Sequence, residues 1–149
     1  MHLVKSASRL TNNTPMVKSV LLIGTSFSAV PIYSALKQLD CHVAVCGGVP
    51  TDPCHAFADE SHYIDYSDRN QLLELVRKKG FKYIAPSCND YAYLSGAWVA
   101  EQEGLPGFDS YETTLILHNK NEFRKFADKN GYPIPKATSV HDLDELKKV

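Results

Sequence analysis

Apolar residues run continuously through two short stretches near the start of the chain, without the alternation that marks a half-exposed strand. These stretches are SVLLI at Ser19–Ile23 and HVAVC at His42–Cys46. Such runs are typical of strands that are covered on both faces of a sheet. Two shorter apolar runs, at 62–65 and 82–86, predict a third and a fourth strand.

Between these strands the apolar residues recur every three or four positions, which is the spacing of an amphipathic helix. A first helix is predicted over 29–39, and its inward residues are expected to be Ala29, Ile32, Tyr33, Leu36 and Leu39. A second helix is predicted to run to Lys79 and to end at Gly80. Asp68 and Gln71 resemble a capping box at its start. Its expected inward side chains are Leu72, Leu73, Leu75 and Val76.

Helical patterns also fill the second half of the chain. Residues 90–103 predict a third helix that Gly104 stops, and 111–135 predict two more helices followed by an extended segment. Ser139 and Asp142 resemble another capping box and predict a short C-terminal helix. Strands that alternate with helices in this way predict an α/β fold, a Rossmann-like parallel sheet with helices on both faces.

The distribution of polar residues divides the chain into three expected parts. Residues 1–16 are polar and aperiodic and are expected to be a flexible N-terminal arm. Residues 17–136 would form the Rossmann-like domain, and 137–149 would begin a linker or helix that leads away from it. A chain of 149 residues is long enough for one such domain with a substantial hydrophobic core.

Charge and composition exclude several classes of protein. The formal net charge of −1 leaves no basic stripe for nucleic acid. No stretch has the length of a membrane span or the apolar core of a signal peptide, so we expect a cytoplasmic protein without a membrane partner. The four cysteines contain no CxxC pair and the histidines are scattered, so we expect buried thiols rather than disulfides or a metal site. A homodimer is compatible with these features.

Two predicted loops carry polar residues at the carboxyl ends of strands, which is where open parallel sheets bind ligands. They are GTSFSA at 24–29 and PSCND at 86–90. A Walker A phosphate loop is excluded for the first, because no lysine lies between Lys18 and Lys37. A dinucleotide loop is disfavoured, because the positions of its later glycines are filled by serine and alanine and the second strand ends without an acidic residue.

Two interpretations of the first loop remain open. Its backbone N–H groups and the hydroxyls of Thr25, Ser26 and Ser28 would bind a small anionic or polar substrate at the start of the helix. Alternatively, Gly24 only makes a tight turn and Ser28 only caps the helix. The loop by itself favours this second, structural interpretation.

The other candidate site residues also allow both a structural and a ligand-binding interpretation. Asp90 is expected either to cap the third helix or, with Asn89, to bind a ligand beside the first loop. Two polar loops that converge at one sheet edge favour a ligand site more than either loop alone. Lys120 has the pattern of an ordinary solvated helix residue, as do Lys125 and Lys129.

Together these residues resemble the N-terminal, pre-ATP-grasp domain of ATP-grasp ligases, the superfamily of carbamoyl-phosphate synthase large subunits, biotin carboxylases and purine-pathway carboxylate-amine ligases. The resemblance covers about 20–136. It rests on VLLIG with its small-residue loop, AFADESHYIDYSDRNQLLELV, YIAPSCND, AEQEGLPG and NKNEFRKFADKNGYPIPKA. Each motif is short, but their order and spacing agree, and the last two are the most specific.

The resemblance implies roles for individual residues. Lys120 matches the lysine that lies near the ATP phosphates in that family. The loops after the first and fourth strands face the acceptor or carboxylate substrate in the family. The substrate-binding residues implied here are Gly24, Thr25, Ser26, Ser28, Asn89 and Asp90. The resemblance implies no catalytic residue and no metal ligand in this chain.

The reaction that the resemblance implies is ATP-dependent activation of a carboxylate to an acyl phosphate, followed by attack of an amine or similar nucleophile, with Mg²⁺ bridging the phosphates. Catalysis in the family also needs a lid and a C-terminal domain, which the sequence does not contain. We therefore expect a fragment, or one half of a split ligase, that is inactive without its ATP-grasp domains. The alternatives are a stand-alone Rossmann-like module that binds a nucleotide or sugar nucleotide, and a non-catalytic interaction domain.

Overall fold

A four-stranded sheet forms the centre of the molecule. The computed structural model of the chain describes residues 18–147, so the predicted arm at 1–16 lies outside the described residues. The strands are β1 (Ser19–Ile23), β2 (His42–Cys46), β3 (Glu60–His62) and β4 (Tyr83–Pro86). All three pairings are parallel, in the order β3-β2-β1-β4. The predicted α/β fold with a parallel sheet is confirmed, although β3 begins earlier than the predicted 62–65.

The described residues also form six α-helices and two short 3-10 turns. The helices are α1 (Val30–Gln38), α2 (Arg69–Lys79), α3 (Asp90–Glu103), α4 (Tyr111–His118), α5 (Lys120–Lys129) and α6 (Leu143–Leu146). The 3-10 turns are Phe27–Ala29 and Pro53–Ala56. No helix between residues 18 and 147 combines the length and the hydropathy that crossing a bilayer requires.

The central strand β1 is covered on both faces. Leu21 and Ile23 pack in one cluster with α2 and α3, whereas Val20 and Leu22 pack in another with α1 and the Pro53–Ala56 turn. Successive side chains of a strand point to opposite faces, so a strand with two covered faces needs apolar residues at every position. This burial explains the unbroken apolar run from which β1 was predicted.

The ends of α2 form as the sequence predicts. The Asp68 carboxylate accepts hydrogen bonds from the backbone N–H groups of Asn70 and Gln71, at 3.0 and 3.2 Å. The side-chain amide of Gln71 also donates to the Asp68 carboxylate, at 2.9 Å, so the two predicted capping residues contact each other. Gly80 ends the helix with a positive φ of 70°, a conformation that glycine adopts without steric cost.

Three details differ from the predictions. Leu39 is not inward but 72% exposed, because α1 ends at Gln38 and Leu39 is its C-cap, outside the helical repeat. Cys88 is exposed, whereas the other three cysteines are buried as predicted. The C-terminal helix is capped by Asp142 alone, whose carboxylate accepts the N–H groups of Asp144 and Glu145 without any part for Ser139.

Asp59 connects β2 to α1 just before the edge strand. Its Oδ2 accepts hydrogen bonds from the Lys37 ammonium and from the Val43 backbone N–H, both at 2.7 Å. The Lys37 hydrogen bond, followed by that of Val43, holds the pKa of the Asp59 carboxyl below its ordinary value. Asp59 therefore binds a proton less readily in the folded chain than in the unfolded chain.

Truncating the centre of β1 is expected to destabilise the fold strongly. Leu22→Ala removes a fully buried side chain and leaves a cavity between two covered layers, so we expect a loss of about 2–5 kcal/mol in the free energy of unfolding. The matched control is Leu39→Ala, which removes the same atoms from an exposed position and should cost less than about 0.5 kcal/mol. Urea denaturation measures both, and equal losses would contradict the two-face packing of β1.

The Asp59 contacts predict a pH dependence of stability. A carboxyl whose pKa is lower in the folded chain than in the unfolded chain stabilises the fold at pH values above its unfolded pKa. This contribution is lost progressively as the pH falls below about 5 and through the folded pKa. Asp59→Asn should therefore be less stable than the natural chain at neutral pH and should lose less stability on acidification. Free energies of unfolding across that pH range test this, and parallel pH profiles for the two proteins would refute it.

Candidate functional site

The loop after β1 turns tightly around Gly24. Gly24 has a positive φ of 101°, and its N–H donates to the Cys46 carbonyl at 2.8 Å. A Cβ atom at this position would lie 2.1 Å from the Ser87 Oγ, so the turn requires glycine both for its backbone angle and for its space. The tight turn at Gly24 is confirmed, and the loops after β1 and β4 contact each other as expected.

Thr25 points into the protein rather than toward solvent. Its side chain is buried, with 2% of the residue exposed, and its hydroxyl donates to the Asp52 carboxylate at 2.7 Å. The carbonyl of Thr25 accepts the Cys54 N–H at 3.1 Å. Gly47 makes room for this side chain, because a Cβ there would lie 2.1 Å from the Thr25 Oγ1. Thr25 therefore ties the loop after β1 to the segment that follows β2.

Ser26 and Ser28 are exposed, and their hydroxyl oxygens lie 3.1 Å apart. Ser28 does not cap α1, so this part of the structural interpretation is wrong. The N-cap residue of α1 is Ala29, which makes no side-chain hydrogen bond. The physical reason is the 3-10 turn at Phe27–Ala29, which places Ser28 inside a turn of helix instead of before its first N–H groups.

The loop after β4 leads directly into α3. Asn89, with an extended backbone, is the N-cap, and its Oδ1 accepts the N–H groups of Tyr91 and Ala92 at 2.9 and 3.4 Å. Asp90 is already helical and thus not the cap, which corrects the expectation for that residue. Its carboxylate, 70% exposed, instead accepts a hydrogen bond from the His118 Nδ1 at 2.9 Å.

One cleft opens at the carboxyl end of the sheet, between the segments that follow β1, β2 and β3 and the start of α3, and we call it the strand-end cleft. It has a volume of about 570 Å³. Its polar lining consists of Thr25, Asp52, Asp65, Tyr66, Ser67 and Tyr91. Of these the sequence analysis selected Thr25 alone. Asp52 and Asp65 follow β2 and β3, so extending the strand-end argument to those two strands would have found both carboxylates.

The strand-end cleft is rich in hydrogen-bond acceptors. The Asp65 Oδ1 accepts the N–H of Ser67 at 2.9 Å and its hydroxyl at 2.7 Å. Within residues 18–147 neither Asp52 nor Asp65 forms an ion pair with a basic side chain. Burial, with smaller contributions from Cys46, Asp52 and Asp65, raises the pKa of the Tyr66 phenol above its ordinary value.

A second cleft lies where α4 meets α5, and we call it the helix-junction cleft. It has a volume of about 450 Å³ and is lined by Asp90, His118, Asn119, Lys120, Asn121 and Arg124. Asn119 caps α5 by accepting the N–H groups of residues 121 and 122, so Lys120 is the first residue of that helix. The His118 ring stacks on Tyr93 with 4.7 Å between ring centres. The contacts of His118 hold the start of α3 against the end of α4, just before α5 begins.

The structure thus separates the predicted site residues into two neighbouring groups. Asp90 and Lys120 share the helix-junction cleft, whereas Thr25 lines the strand-end cleft. Ser26, Ser28 and Asn89 line neither of these clefts, and Gly24 shapes the turn. In the part of the chain that the structure describes, no group of three His, Cys, Asp or Glu residues is placed to hold a metal ion.

Comparison with curated proteins reveals related sequences. Formate-dependent phosphoribosylglycinamide formyltransferase from Synechococcus sp. (strain WH7803) is 29% identical over 114 residues, which are 76% of this chain and 29% of that protein. The protein of the same name from Wolinella succinogenes is 24% identical over 135 residues, covering 90% of this chain and 35% of its own length. No protein-family model matches the chain.

Solved structures with the same fold carry related names. Phosphoribosylglycinamide synthetase from Anaerococcus prevotii superposes with a TM-score of 0.72 at 25% identity, over 88% of this chain and 33% of that one. N5-carboxyaminoimidazole ribonucleotide synthetase from Thermotoga maritima superposes with a TM-score of 0.68 at 23% identity, over 89% and 36% of the two chains. The chain therefore spans about a third of the length of these relatives.

Removing the Thr25 hydroxyl is expected to destabilise the loop. Thr25→Val keeps the shape of the side chain but takes the hydrogen-bond donor from Asp52, which should cost about 1–3 kcal/mol in the free energy of unfolding. The control is the same substitution in an Asp52→Ala background, where no carboxylate is left without its donor. Urea denaturation of the four proteins measures the coupling, and an equal cost in both backgrounds would show that the hydrogen bond contributes nothing.

Proposed function

We propose that this chain, which is homologous to the N-terminal portions of ATP-grasp ligases and has the fold of their pre-ATP-grasp domain, is the substrate-side domain of an ATP-dependent ligase. In this proposal the ligase activates a carboxylate as an acyl phosphate, which an amine or similar nucleophile then attacks. The observation that carries the proposal is the homology itself, because both the sequence and the fold of the relatives match this chain over most of its length.

The position of the strand-end cleft supports a substrate-binding role. Open parallel sheets bind their ligands at the carboxyl ends of the strands, where neighbouring connections run to opposite faces. Here α1 follows β1 on one face and α3 follows β4 on the other, and β1 and β4 are adjacent. The formyltransferase and synthetase relatives are named for small-molecule substrates, and we propose a small molecule as the ligand of this cleft as well.

The helix-junction cleft is proposed to face the phosphates of ATP. Lys120 and Arg124 place two cations there, at the N-terminal end of α5. Two cations at a helix N-terminus suit a polyphosphate. ATP, when bound, supplies the phosphoryl group that activates the carboxylate. The role of His118 in this arrangement is to hold Asp90 and the start of α3 beside Lys120.

Other parts of the ligase are proposed to come from ATP-grasp domains, in the same polypeptide or in a separate subunit. They would bind the adenine and the Mg²⁺ ion, for which the described residues offer no cluster of acidic ligands. Residues 17–136 would be the substrate-side domain, and 137–149 would lead from it toward those domains. We also propose that the assembly is cytoplasmic and that the chain alone has no turnover.

The ATP side of the proposal is tested by Lys120→Ala. The assay uses the native assembly, isolated from its source through an affinity tag on this chain, with ATP and pairs of carboxylates and amines. Loss of the Lys120 ammonium should raise the KM for ATP by about tenfold or more, because a charge-assisted contact to phosphate is lost.

The matched control is Lys125→Ala, which removes a lysine of the same helix that pairs with Glu122 instead. It should leave the KM for ATP unchanged. An assembly that consumes no ATP with any pair of substrates, or an equal KM for both variants, would overturn the assignment. Tight binding of NAD, NADP or a nucleotide sugar to the chain alone would favour a stand-alone nucleotide-binding module.

A further inference from the structure

We infer that a third cleft, between α5 and the extended segment that follows it, binds the phosphate group of a small anion. It is lined by α5 and by residues 134–138, which lead toward α6, and we call it the linker cleft. Its volume is about 480 Å³. It differs from the helix-junction cleft, where the ATP phosphates are proposed to lie, and the inference does not rest on the proposed function.

The linker cleft carries more cations than anions. Arg124, Lys125 and Lys136 line it together with a single carboxylate, that of Asp128. The whole chain has a formal net charge of −1, so this local excess of positive charge is not a general property of its surface. The excess favours an anionic ligand, and a phosphate group brings about two negative charges at neutral pH.

Two of these cations have no acidic partner in the described chain. Within residues 18–147 neither Arg124 nor Lys136 forms an ion pair, whereas Lys125 pairs with Glu122 at 2.8 Å. Arg124 is also only partly exposed, and charges attract more strongly where water is partly excluded. Its planar guanidinium suits two parallel hydrogen bonds to a phosphate, so we expect Arg124 to be the main contact of the anion.

The extended segment adds uncharged hydrogen-bond donors. Residues 134–138 form no backbone–backbone hydrogen bond within the part of the chain that the structure describes. The N–H groups of Lys136, Ala137 and Thr138, together with the Thr138 hydroxyl, are therefore available to a ligand. A phosphate group has three strong acceptor oxygens, which two cations alone would not satisfy.

Apolar side chains form the rest of the lining, and they bear on the source of the phosphate group. They belong to Ile134, Pro135 and Ala137. An apolar group esterified to the phosphate would cover these side chains, whereas free inorganic phosphate would leave them in water. Both sources share the phosphate chemistry, and they differ in whether the apolar lining contributes to affinity.

The inference is tested by NMR titration of the ¹⁵N-labelled chain with sodium phosphate at constant ionic strength. Phosphate should shift the amide resonances of Lys136, Ala137 and Thr138 in a saturable way. Sodium chloride at the same ionic strength should not, because it screens charges without occupying the cleft. Phenyl phosphate should shift the same amides. Tighter binding of this ester would identify an organic phosphate as the ligand, and equal affinity would identify free phosphate.

A substitution then assigns the binding to the linker cleft. Lys136→Gln should weaken phosphate binding about three- to tenfold, because a neutral amide replaces a cation. Lys136 is chosen because Arg124 lines both the linker cleft and the helix-junction cleft. The matched control is Lys129→Gln, an exposed lysine of α5 outside both clefts, which should leave phosphate binding unchanged.

Three results would overturn the inference: no saturable shift with either phosphate compound, equal shifts with sodium chloride, or equal weakening by the two substitutions. A shift of the Asn121 amide while residues 136–138 stay unchanged would also overturn it, because Asn121 lines the helix-junction cleft alone. These outcomes are independent of the ligase test. If phosphate binds as expected and the native assembly consumes no ATP, the phosphate site stands and the proposed ligase is wrong. If Lys120 governs the KM for ATP and the linker cleft binds no phosphate, the ligase stands and the phosphate site is wrong.

Discussion

The parallel pairing of β1 with β2 on one side and β4 on the other is the interaction on which the rest of the structure depends. It buries β1 from Val20 to Ile23, and after each of these three strands the chain leaves the sheet at the same edge. The hydrogen bonds between the strands continue past the strand ends. The Gly24 N–H donates to the Cys46 carbonyl and the Ser87 N–H donates to the Ile23 carbonyl, both at 2.8 Å. The loops after β1 and β4 are therefore tied directly to the hydrogen-bonded centre of the sheet.

The elements that the sequence predicted correctly are those with a strong physical signal. The bounds of β1 and β2 follow from apolar runs, because the last four residues of each strand are buried and only its first residue is partly exposed. The ends of α2 follow from the Asp68 cap and from Gly80, and the C-terminal end of α3 follows from Gly104, whereas the N-cap of α3 is Asn89 and not the expected Asp90. The edge strand β3 has no such signal, since its three residues are only partly buried. The apolar Ile64, which packs on the core just beyond it, drew the prediction toward the later residues.

The candidate site was predictable in its location but not in its contacts. The rule for open sheets indicates the loops after β1 and β4, and the structure places them in contact. The hydrogen bond between Thr25 and Asp52 joins residues 27 positions apart, so no local pattern predicts it. The pairing of Asp90 with His118 is equally remote in sequence. Lys120 became a candidate site residue only through the resemblance to ATP-grasp ligases, because its local pattern is that of an ordinary helix residue. The homology of the chain to those ligases is confirmed.

The close packing of Gly47 against Thr25 limits how this fold can diversify in evolution. A methyl group at position 47 would occupy the space of the Thr25 hydroxyl, so a side chain at one position and a hydroxyl at the other exclude each other. A lineage in which Gly47 is replaced by a residue with a side chain must first lose the γ-atoms of Thr25, and with them the hydroxyl that donates to Asp52. Position 47 can therefore accept a side chain only after position 25 has changed, and that first change also alters the strand-end cleft, which Thr25 lines.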